Sequence, residues 1–355
     1  MNERALRFLI SGPGLIGKVH ARLLNAHPGC EVGAIVSVQS DRSTKFAAEI
    51  GAGFYTDIAQ ALDSESIDAA IISSPNAFHF SQAMACIERK IPTLVEKPLT
   101  SDIRDAKTLV DSADNAGVPV LVGDHRMYNP LLETARSFLD SPYFGKLVAV
   151  QGAALFYKPS HYFREGPWRA RTGGGPILIN LIHEVGLLRY FCGPIESVST
   201  MASHSIRRFE VEDTVAVTFS FANGALGTFL LSDTAASSKS WEMTTGENPA
   251  YPHFPTENCY HFAGTNGSLD FPTMRTRHYS GGLDPSWWNA FEVGGLPTKK
   301  GNSLECQIAH FVEVVRNRVP LRVSARDGYR NMCVLAAIHR SIKTGCVARL
   351  DEMEC

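Results

Sequence analysis

A glycine-rich loop between a strand and a helix limits the folds open to this chain more than any other feature. Residues 6–10 have the pattern of an apolar strand, and a helical apolar pattern follows the loop over residues 18–26. In such a unit the first glycine permits a tight turn, the second lets the backbone approach a pyrophosphate, and the third lets the helix pack closely on the strand. The free N–H groups at the helix start also favour phosphate. The loop therefore predicts a dinucleotide site, the alternative being a tight glycine turn in another α/β unit. Its expected contacts are Gly12, Gly14, Leu15, Ile16 and Gly17.

The ribose end of that site is predicted where the second strand pattern, residues 31–36, gives way to Ser37. In NAD-specific sites an acidic residue roughly 20 residues beyond the glycines holds the ribose 2′-hydroxyl. No carboxylate stands at this strand end, and Ser37, Ser40 and Arg42 are available to a 2′-phosphate. The expected cofactor is NAD or NADP, and these residues favour NADP. Alternatively, Asp41 could turn inward and Arg42 could be a solvated residue that opens the next helix.

Strand and helix patterns then alternate through the first third of the chain. Near-continuous apolar strands at 53–55, 69–73, 93–95 and 118–123 are separated by helical segments at about 43–50, 58–62, 79–90 and 102–116. Parallel strands buried on both faces have this apolar character, and helices that cross between them complete the unit. The sequence predicts an α/β protein whose N-terminal domain is a doubly wound parallel sheet of the Rossmann type.

Polar residues occupy the carboxyl ends of two of these strands, where open parallel sheets bind their ligands. Ser74, Pro75, Asn76 and His79 follow one strand, and Glu96 and Lys97 follow another. A buried ammonium is costly without a partner, so Lys97 is interpreted as a donor aimed at a ligand. The alternatives are an ordinary ion pair with Glu96 and, for His79, a helix cap or a buried structural histidine.

The order of these motifs is itself informative. The glycine loop, Ser74-Pro75-Asn76-x-x-His79, Glu96-Lys97-Pro98 and Tyr128-Asn129-Pro130 occur in succession. Together they resemble the Gfo/Idh/MocA oxidoreductases, the glucose-fructose oxidoreductase and inositol dehydrogenase group, over nearly the whole chain. The resemblance implies an NAD(P)-dependent dehydrogenase or reductase that acts on CH–OH groups of a small polyol or sugar-like substrate. It also adds Ser74, Pro75, Asn76, His79, Glu96 and Lys97 to the expected cofactor contacts.

Composition changes after Gly123, which predicts a domain boundary near residue 124. Residues 1–123 are expected to bind the dinucleotide, and residues 124–355 to form a substrate-binding and oligomerisation α/β domain. The strand patterns 214–221 and 226–232, joined through Ala222-Asn223-Gly224, predict a β-hairpin in a large mixed or antiparallel sheet. We expect a homodimer or homotetramer through this sheet. A last helix, at about 326–343, is expected to pack back on the first domain.

The stretch 234–284 is rich in Ser, Thr, Pro, Asn and aromatic residues, and Trp287 and Trp288 follow it. It is interpreted as a loop-rich insertion, either a lid and oligomer contact or irregular packing.

A second polar cluster lies between the strand patterns, at residues 168–184. Three glycines and Pro176 lead into an apolar helix on which Asn180 and His183 are three residues apart and share a face. They either cap or bridge locally within a buried helix or point into a ligand site. Aligned on the glycines, the family histidine matches His183, while Ile179 and Gly186 occupy the positions of two family aspartates. Asn180 stands beside the first of these and can hydrogen-bond but not titrate.

The resemblance implies three catalytic roles. His183 would be the general base or acid, Lys97 would hydrogen-bond the reacting oxygen, and Asn180 would orient the substrate. The arginines and histidines leave room for a carboxylate-bearing substrate such as a sugar acid. Candidate substrate contacts are His125, Arg126, Tyr157, Trp168, Arg169 and Asn180. Two rival readings remain: an NAD-dependent glycoside hydrolase of the same family and a non-catalytic dinucleotide sensor, which need not keep Lys97 and His183.

Several other classes are disfavoured. A formal net charge of −2 gives no bias toward nucleic acid or an anionic membrane. There is no basic-apolar signal pattern at the start, and no apolar run near the roughly 20 residues that span a bilayer. The eight cysteines are scattered and expected to be reduced, and no metal-ligand spacing is present. We expect a cytoplasmic protein that binds no metal, nucleic acid or membrane.

Overall fold

The computed structural model describes residues 4–279 and 284–353, which divide into two compact units. Of the described residues, the first unit comprises 4–128 and 302–332, and the second comprises 129–279, 284–301 and 333–353. Residues 302–332 therefore group with the first unit, although the sequence alone assigned them to the second domain.

The first unit contains a six-stranded parallel sheet, as the apolar strand patterns predict. Its strands lie in the order β3-β2-β1-β4-β5-β6. They are β1 (Leu6–Ser11), β2 (Cys30–Val36), β3 (Gly53–Tyr55), β4 (Ala69–Ile72), β5 (Thr93–Glu96) and β6 (Val120–Gly123). The connecting helices are α1 (Leu15–Ala26), α2 (Asp41–Glu49), α3 (Ile58–Ser64), α4 (His79–Glu88) and α5 (Ile103–Ala116). This is the strand order of dinucleotide-binding folds, and the predicted fold class is confirmed.

Most helices of this sheet begin with a side-chain cap, and α1 does not. Ser40, Asp57 and Asp102 accept backbone N–H bonds at the starts of α2, α3 and α5. The residue before α1 is Gly14, which has no side chain to offer, and the first turn of α1 carries no acidic residue. The N–H groups at this helix start are therefore left for a ligand.

The second unit is built on a mixed nine-stranded sheet. Its order is β14-β13-β12-β11-β7-β10-β9-β8-β15, with β7 and β10 parallel and the other pairs antiparallel. The elements up to residue 295 are α6 (Leu131–Leu139), β7 (Leu147–Leu155), α7 (Ser160–Glu165), α8 (Ile182–Cys192), β8 (Ile195–Ser203), β9 (Thr214–Phe221), β10 (Leu226–Ser232), α9 (Trp241–Thr244), β11 (Tyr260–Gly264), β12 (Gly267–Phe271), β13 (Arg275–His278) and β14 (Glu292–Gly295). The last three are α10 (Ser303–Asn317), α11 (Ala325–Thr344) and β15 (Ala348–Arg349). The predicted hairpin is the antiparallel pair β9–β10.

The interpretation of residues 234–284 as a loop-rich insertion is wrong for residues 260–278, although residues 234–259 are largely loop, and residues 280–283 lie outside the described residues. Strands β11, β12 and β13 come from this stretch and pair into the nine-stranded sheet. Tyr260 and Phe262 lie on either side of His261 and are 2% and 0% exposed. Strands of four or five residues are too short to stand out against the surrounding Ser, Thr and Asn.

Helix α10 explains why residues 302–332 group with the first unit. Ile308, Phe311 and Val312 lie in the same apolar core as Phe8, whose ring centroid is 5.8 Å from that of Phe311. Of the last helix, α11, residues 325–332 group with the first unit and residues from Cys333 onward with the second. No helix among the described residues is long and apolar enough to cross a membrane.

Candidate active site

The three glycines of the loop meet three different steric demands. Gly12 has φ +84°, and a Cβ built on it would lie 2.4 Å from Ser74 N. A Cβ on Gly17 would lie 2.2 Å from the Gly12 carbonyl oxygen, because α1 packs closely on the loop. A Cβ on Gly14 would meet no atom of the protein within 4 Å. The fold thus requires glycine at positions 12 and 17, whereas a requirement at Gly14 would come from a ligand.

The residues around the start of α1 fit a dinucleotide. The uncapped N–H groups and the positive end of the helix dipole suit a pyrophosphate. Leu15 is 91% exposed beside them, and Ile16 is half-buried. An apolar side chain so fully exposed at a helix start has no packing role within the protein itself.

At the expected ribose end, β2 stops at Val36 and Ser37 donates its backbone N–H to Tyr55 O. Ser40 is occupied as the cap of α2, where its hydroxyl accepts from Ser43 N at 3.2 Å. Asp41 and Arg42 are exposed in the first turn of that helix. No carboxylate stands directly at the strand end, and Ser37 and Arg42 remain the candidates for contact with a 2′-phosphate.

The residues after β4 are held by local hydrogen bonds. Ser74 Oγ donates to Gln82 Oε1 at 2.8 Å, and Ser11 Oγ donates to the same oxygen at 2.9 Å. Pro75 is exposed and Asn76 half-buried, so both are accessible at this edge of the sheet. Gln82 has no motif around it, and the sequence interpretation missed it.

His79 is buried and joins two loops of the first unit. Its Nδ1 is 2.9 Å from the carbonyl oxygen of Pro98, and its Nε2 is 2.8 Å from that of Ser74. Both ring nitrogens are thus engaged by the backbone, which favours the structural alternative over a direct ligand contact. The side chain fixes the Lys97–Pro98 loop to the Ser74 loop.

Glu96 ends β5 and lies inside the first unit. Its Oε1 is 2.9 Å from Nε2 of His20, a fully buried residue of α1. Burial alone would raise the pKa of Glu96, but the His20 contact and the nearby charges of His125 and Lys97 outweigh it, so the pKa is lowered. Glu96 is therefore a buried carboxylate at the end of β5, and the half-buried Lys97 is the next residue along the chain.

Asp124 is a second buried carboxyl group at this edge, which the sequence interpretation passed over. It follows β6 and is 3% exposed. Burial raises its pKa to about 6, although the charges of His125, Arg126 and Lys97 oppose that rise. A carboxyl group with such a pKa, electrostatically coupled to Lys97, is the kind of group found at functional sites. Its place directly after an apolar strand was the available signal.

In the second unit, Asn180 and His183 lie where a helix changes its winding. Residues Ile177–Leu181 form a π-helical turn that continues into α8. Glu212 Oε1 accepts the backbone N–H of Ile177 at 2.8 Å and so anchors the first residue of the turn. Asn180 and His183 are 8% and 5% exposed. Turns of this kind occur frequently at functional sites, since they re-aim side chains within a helix.

Lys158 is a buried residue that no sequence motif indicated. Its Nζ donates to Asn180 Oδ1 at 2.6 Å and lies 3.9 Å from Asp233 Oδ2. Arg207 Nε donates to the other oxygen of Asp233 at 2.6 Å. Lys158, Asn180, Arg207 and Asp233 are separated by more than 20 residues from one another along the chain, so only the fold brings them together.

The remaining candidate substrate contacts differ in accessibility. Tyr157 and Trp168 are 58% and 51% exposed, and His125 is half-buried. Arg126 is 4% exposed, so the protein encloses its guanidinium group. Arg169 stacks 3.9 Å from the Tyr162 ring centroid and donates to the Tyr162 carbonyl oxygen at 2.5 Å, which fixes its head locally. No group of three or more potential metal ligands occurs among the described residues.

A parallel sheet in this strand order, with a glycine loop at an uncapped helix start, defines a dinucleotide-binding α/β protein. Residues 6–124 match the oxidoreductase family with the NAD-binding Rossmann fold, GFO/IDH/MocA, and residues 132–270 match the C-terminal domain of that family. The chain belongs to the GFO/IDH/MocA family and is an NAD-binding oxidoreductase. The predicted family resemblance is confirmed.

Similar proteins of known name span nearly the full chain. A 1,5-anhydro-D-fructose reductase of Ensifer adhaerens is 26% identical over 327 residues, covering 91% of this chain and 92% of its own. A scyllo-inositol 2-dehydrogenase (NAD(+)) of Bacillus subtilis is 24% identical over 361 residues, covering 98% and 97%. The structure of the WlbA dehydrogenase of Bordetella pertussis, in complex with NADH and UDP-GlcNAcA, superposes with a TM-score of 0.77 at 22% identity, covering 98% of this chain and 99% of that one.

Proposed function

We propose that this protein is an NAD(P)-dependent dehydrogenase or reductase that interconverts a secondary alcohol and a ketone on a sugar, a cyclitol or a sugar acid. One observation carries the proposal: β1, β4 and β5 are adjacent parallel strands, so their carboxyl ends share one edge. The glycine loop, Ser74–Asn76 and Lys97 follow these three strands directly. The names of the relatives, a sugar-derivative reductase and an inositol dehydrogenase, support this substrate class.

When bound, the nicotinamide accepts or supplies the two electrons and the hydrogen that are exchanged with the alcohol carbon. We propose that His183 takes or returns the hydroxyl proton, because an imidazole exchanges protons near neutral pH. Lys97 donates a hydrogen bond to the same oxygen and stabilises the negative charge that develops on it. Asn180 orients the substrate, and Glu96, tied to His20, supports the strand end that carries Lys97.

For the cofactor, we propose a preference for NADP over NAD. It rests on Ser37 and the exposed Arg42 at the end of β2, and on the lack of a carboxylate at that strand end. Ser40 is left out of the proposed contacts, since it caps α2.

For assembly, we propose a homodimer or homotetramer through the nine-stranded sheet. Met201, Ala216 and Leu230 form one cross-strand row on β8, β9 and β10, and all three are exposed. Met201 and Leu230 are 80% and 43% exposed, which is unfavourable for apolar side chains in water.

The test is reduction of NAD⁺ and NADP⁺, followed at the absorbance of the reduced nicotinamide, across polyols, cyclitols, sugars and sugar acids. Lys97→Ala and His183→Ala should each lower kcat by about 10²–10⁴-fold while cofactor affinity, measured by calorimetry, stays close to the native value. Native turnover in both variants would refute these roles. Sugar release without net cofactor reduction would instead indicate a glycoside hydrolase, and binding without turnover a sensor.

A further inference from the structure

Lys158 is an unusual residue to bury in the second unit, and its backbone is clamped on both sides. Its N–H donates to Asp233 O at 2.9 Å, and its carbonyl oxygen accepts from Arg207 at 2.8 Å. The Nζ atom lies near two aromatic rings, 5.0 Å from the Tyr162 centroid and 5.4 Å from that of Phe156. Such rings favour the charged form of an ammonium group. The lysine is therefore held in one place, with its charge directed at Asn180.

Asp233 does not account for the position of the lysine. The carboxylate is paired with Arg207 at 2.6 Å, whereas its distance from Lys158 Nζ is 3.9 Å, which is beyond hydrogen-bond range. One short contact of Lys158 is with the amide oxygen of Asn180, at 2.6 Å. The ion pair with Asp233 thus explains the position of Arg207, but it does not explain why Lys158 contacts Asn180.

This contact decides which end of the amide is available to a ligand. An ammonium group can only donate, so Oδ1 must face Lys158 and Nδ2 must be directed away from it. Among residues 4–279 and 284–353, Nδ2 has no hydrogen-bond partner of its own. When the carbonyl oxygen of an amide binds a cation, the amide is polarised and its N–H groups become stronger hydrogen-bond donors. Asn180 therefore offers a ligand an N–H donor, whereas an aspartate at this position would offer only acceptor oxygens.

We propose that Lys158 is a positioning residue that fixes Asn180 as a hydrogen-bond donor to the substrate, and that the site thereby prefers an anionic acceptor, the carboxylate of a sugar acid, over the neutral sugar. The inference rests on the proposed function, because it gives Asn180 a substrate contact. A neutral hydroxyl can also accept this bond, but a carboxylate gains more from a charge-polarised donor.

Matched pairs of compounds test the preference: D-glucuronate with D-glucose, D-galacturonate with D-galactose, and D-gluconate with D-glucitol. In at least one pair the native protein should show a kcat/KM about 10-fold higher for the acid, since charged hydrogen bonds are roughly twice as strong as neutral ones. A preference for the neutral member in every pair would overturn the proposal.

Two variants separate positioning from a structural role. Lys158→Met keeps the side-chain length but removes the charge, and it leaves Asp233 paired with Arg207. It should reduce the acid-to-neutral ratio to about 1, chiefly through KM for the acid. Asn180→Asp should reverse the ratio, because the second carboxylate oxygen repels an acid. Lys158→Arg keeps a donor-only cation and should restore part of the preference.

Lys146→Met is the matched control, an exposed lysine of the same unit whose loss should leave the ratio unchanged. If Lys158→Met lowers kcat equally for both members of a pair and keeps their ratio, the lysine is merely structural and the proposal fails. If no compound of the wider panel, these six included, is oxidised, the proposed function fails by itself. The inference is then judged by calorimetric titration of the same six compounds, and failure of every acid to bind more tightly than its neutral partner overturns it.

Discussion

Glu96 in the first unit and Asp233 in the second are both buried carboxylates, but their surroundings affect them in opposite ways. Glu96 has a lowered pKa, because the His20 contact and neighbouring positive charges outweigh its burial. Asp233 has a raised pKa, because burial outweighs the hydrogen bond from Arg207 and the charge of Lys158. The anionic form of Glu96 is favoured, whereas that of Asp233 depends chiefly on its close partner, Arg207.

The two units also hold their polar groups by different means. In the first unit the polar groups follow parallel strands. Strand pairing through the backbone therefore brings them to one edge of the sheet, without any contact between their side chains. In the second unit the cluster of Lys158, Asn180, Arg207 and Asp233 depends on contacts between side chains from separate segments. The first arrangement should persist when one of these side chains is lost, whereas the second should be destabilised by loss of Arg207, the close partner of Asp233.

The largest expected effect is in the second unit. Arg207→Ala removes the close partner of Asp233, and an uncompensated buried charge costs about 3–5 kcal/mol. Urea unfolding followed by tryptophan fluorescence measures this cost, since all four tryptophans belong to the second unit. The exposed pair Lys107–Asp111 of the first unit is the control, and Lys107→Ala should change stability by less than about 0.5 kcal/mol. Equal losses of stability in Arg207→Ala and Lys107→Ala would contradict the difference proposed between the two units.

The glycine loop gives the next effect, in the first unit. Gly12→Ala forces a side chain into a left-handed conformation and against the backbone at Ser74, at a cost of about 2–4 kcal/mol. Gly14→Ala meets no protein atom and should leave stability unchanged, but weaken NAD(P) binding by about 10-fold or more. Thermal unfolding by circular dichroism and calorimetric titration distinguish them. A stable Gly12→Ala variant with native affinity would contradict the steric reading of the loop.

Asp124 supplies a pH test of the first unit. Its folded pKa of about 6 exceeds the roughly 3.9 of an unfolded chain, so the folded protein binds the extra proton between these values. Stability from this group is therefore fully present below about pH 4 and declines as the pH rises to 6. Asp124→Asn removes that decline and should raise stability at pH 7 by roughly 2–3 kcal/mol relative to the native chain.

Urea titrations at pH 4, 5, 6 and 7 measure the difference between the two proteins. It should grow across this range and level off above pH 6. A difference that is constant with pH would show that Asp124 does not titrate there.

The smallest expected effect concerns Arg42, which is exposed in the first turn of α2. Arg42→Ala should raise KM for NADP⁺ by about 5–10-fold and leave KM for NAD⁺ nearly unchanged, because only the former offers a 2′-phosphate to the guanidinium. Steady-state kinetics with both cofactors check this. Equal changes in the two KM values would remove Arg42 from the site.

Much of the fold follows from local pattern. The parallel sheet is indicated by apolar runs of three to six residues between helical segments, and the hairpin β9–β10 by alternation around Asn223-Gly224. The short strands β11–β13 escaped prediction, because their register is imposed by neighbours such as β7 and not by their own composition. The membership of helix α10 in the first unit depends on where Phe311 packs, which no local pattern shows.

By itself the sequence determined the dinucleotide-binding class, since the glycine loop and the polar residues after apolar strands are local patterns that can be recognised without knowledge of their tertiary contacts. It also singled out Lys97, Asn180 and His183 as candidates. The tertiary structure alone decided that His20 contacts Glu96, that both nitrogens of His79 face backbone carbonyls, and that Lys158 donates to Asn180. Apart from the contact of His79 with Ser74, these pairings join residues that share no motif, and they depend on the burial of polar groups, which exists only once the chain has folded.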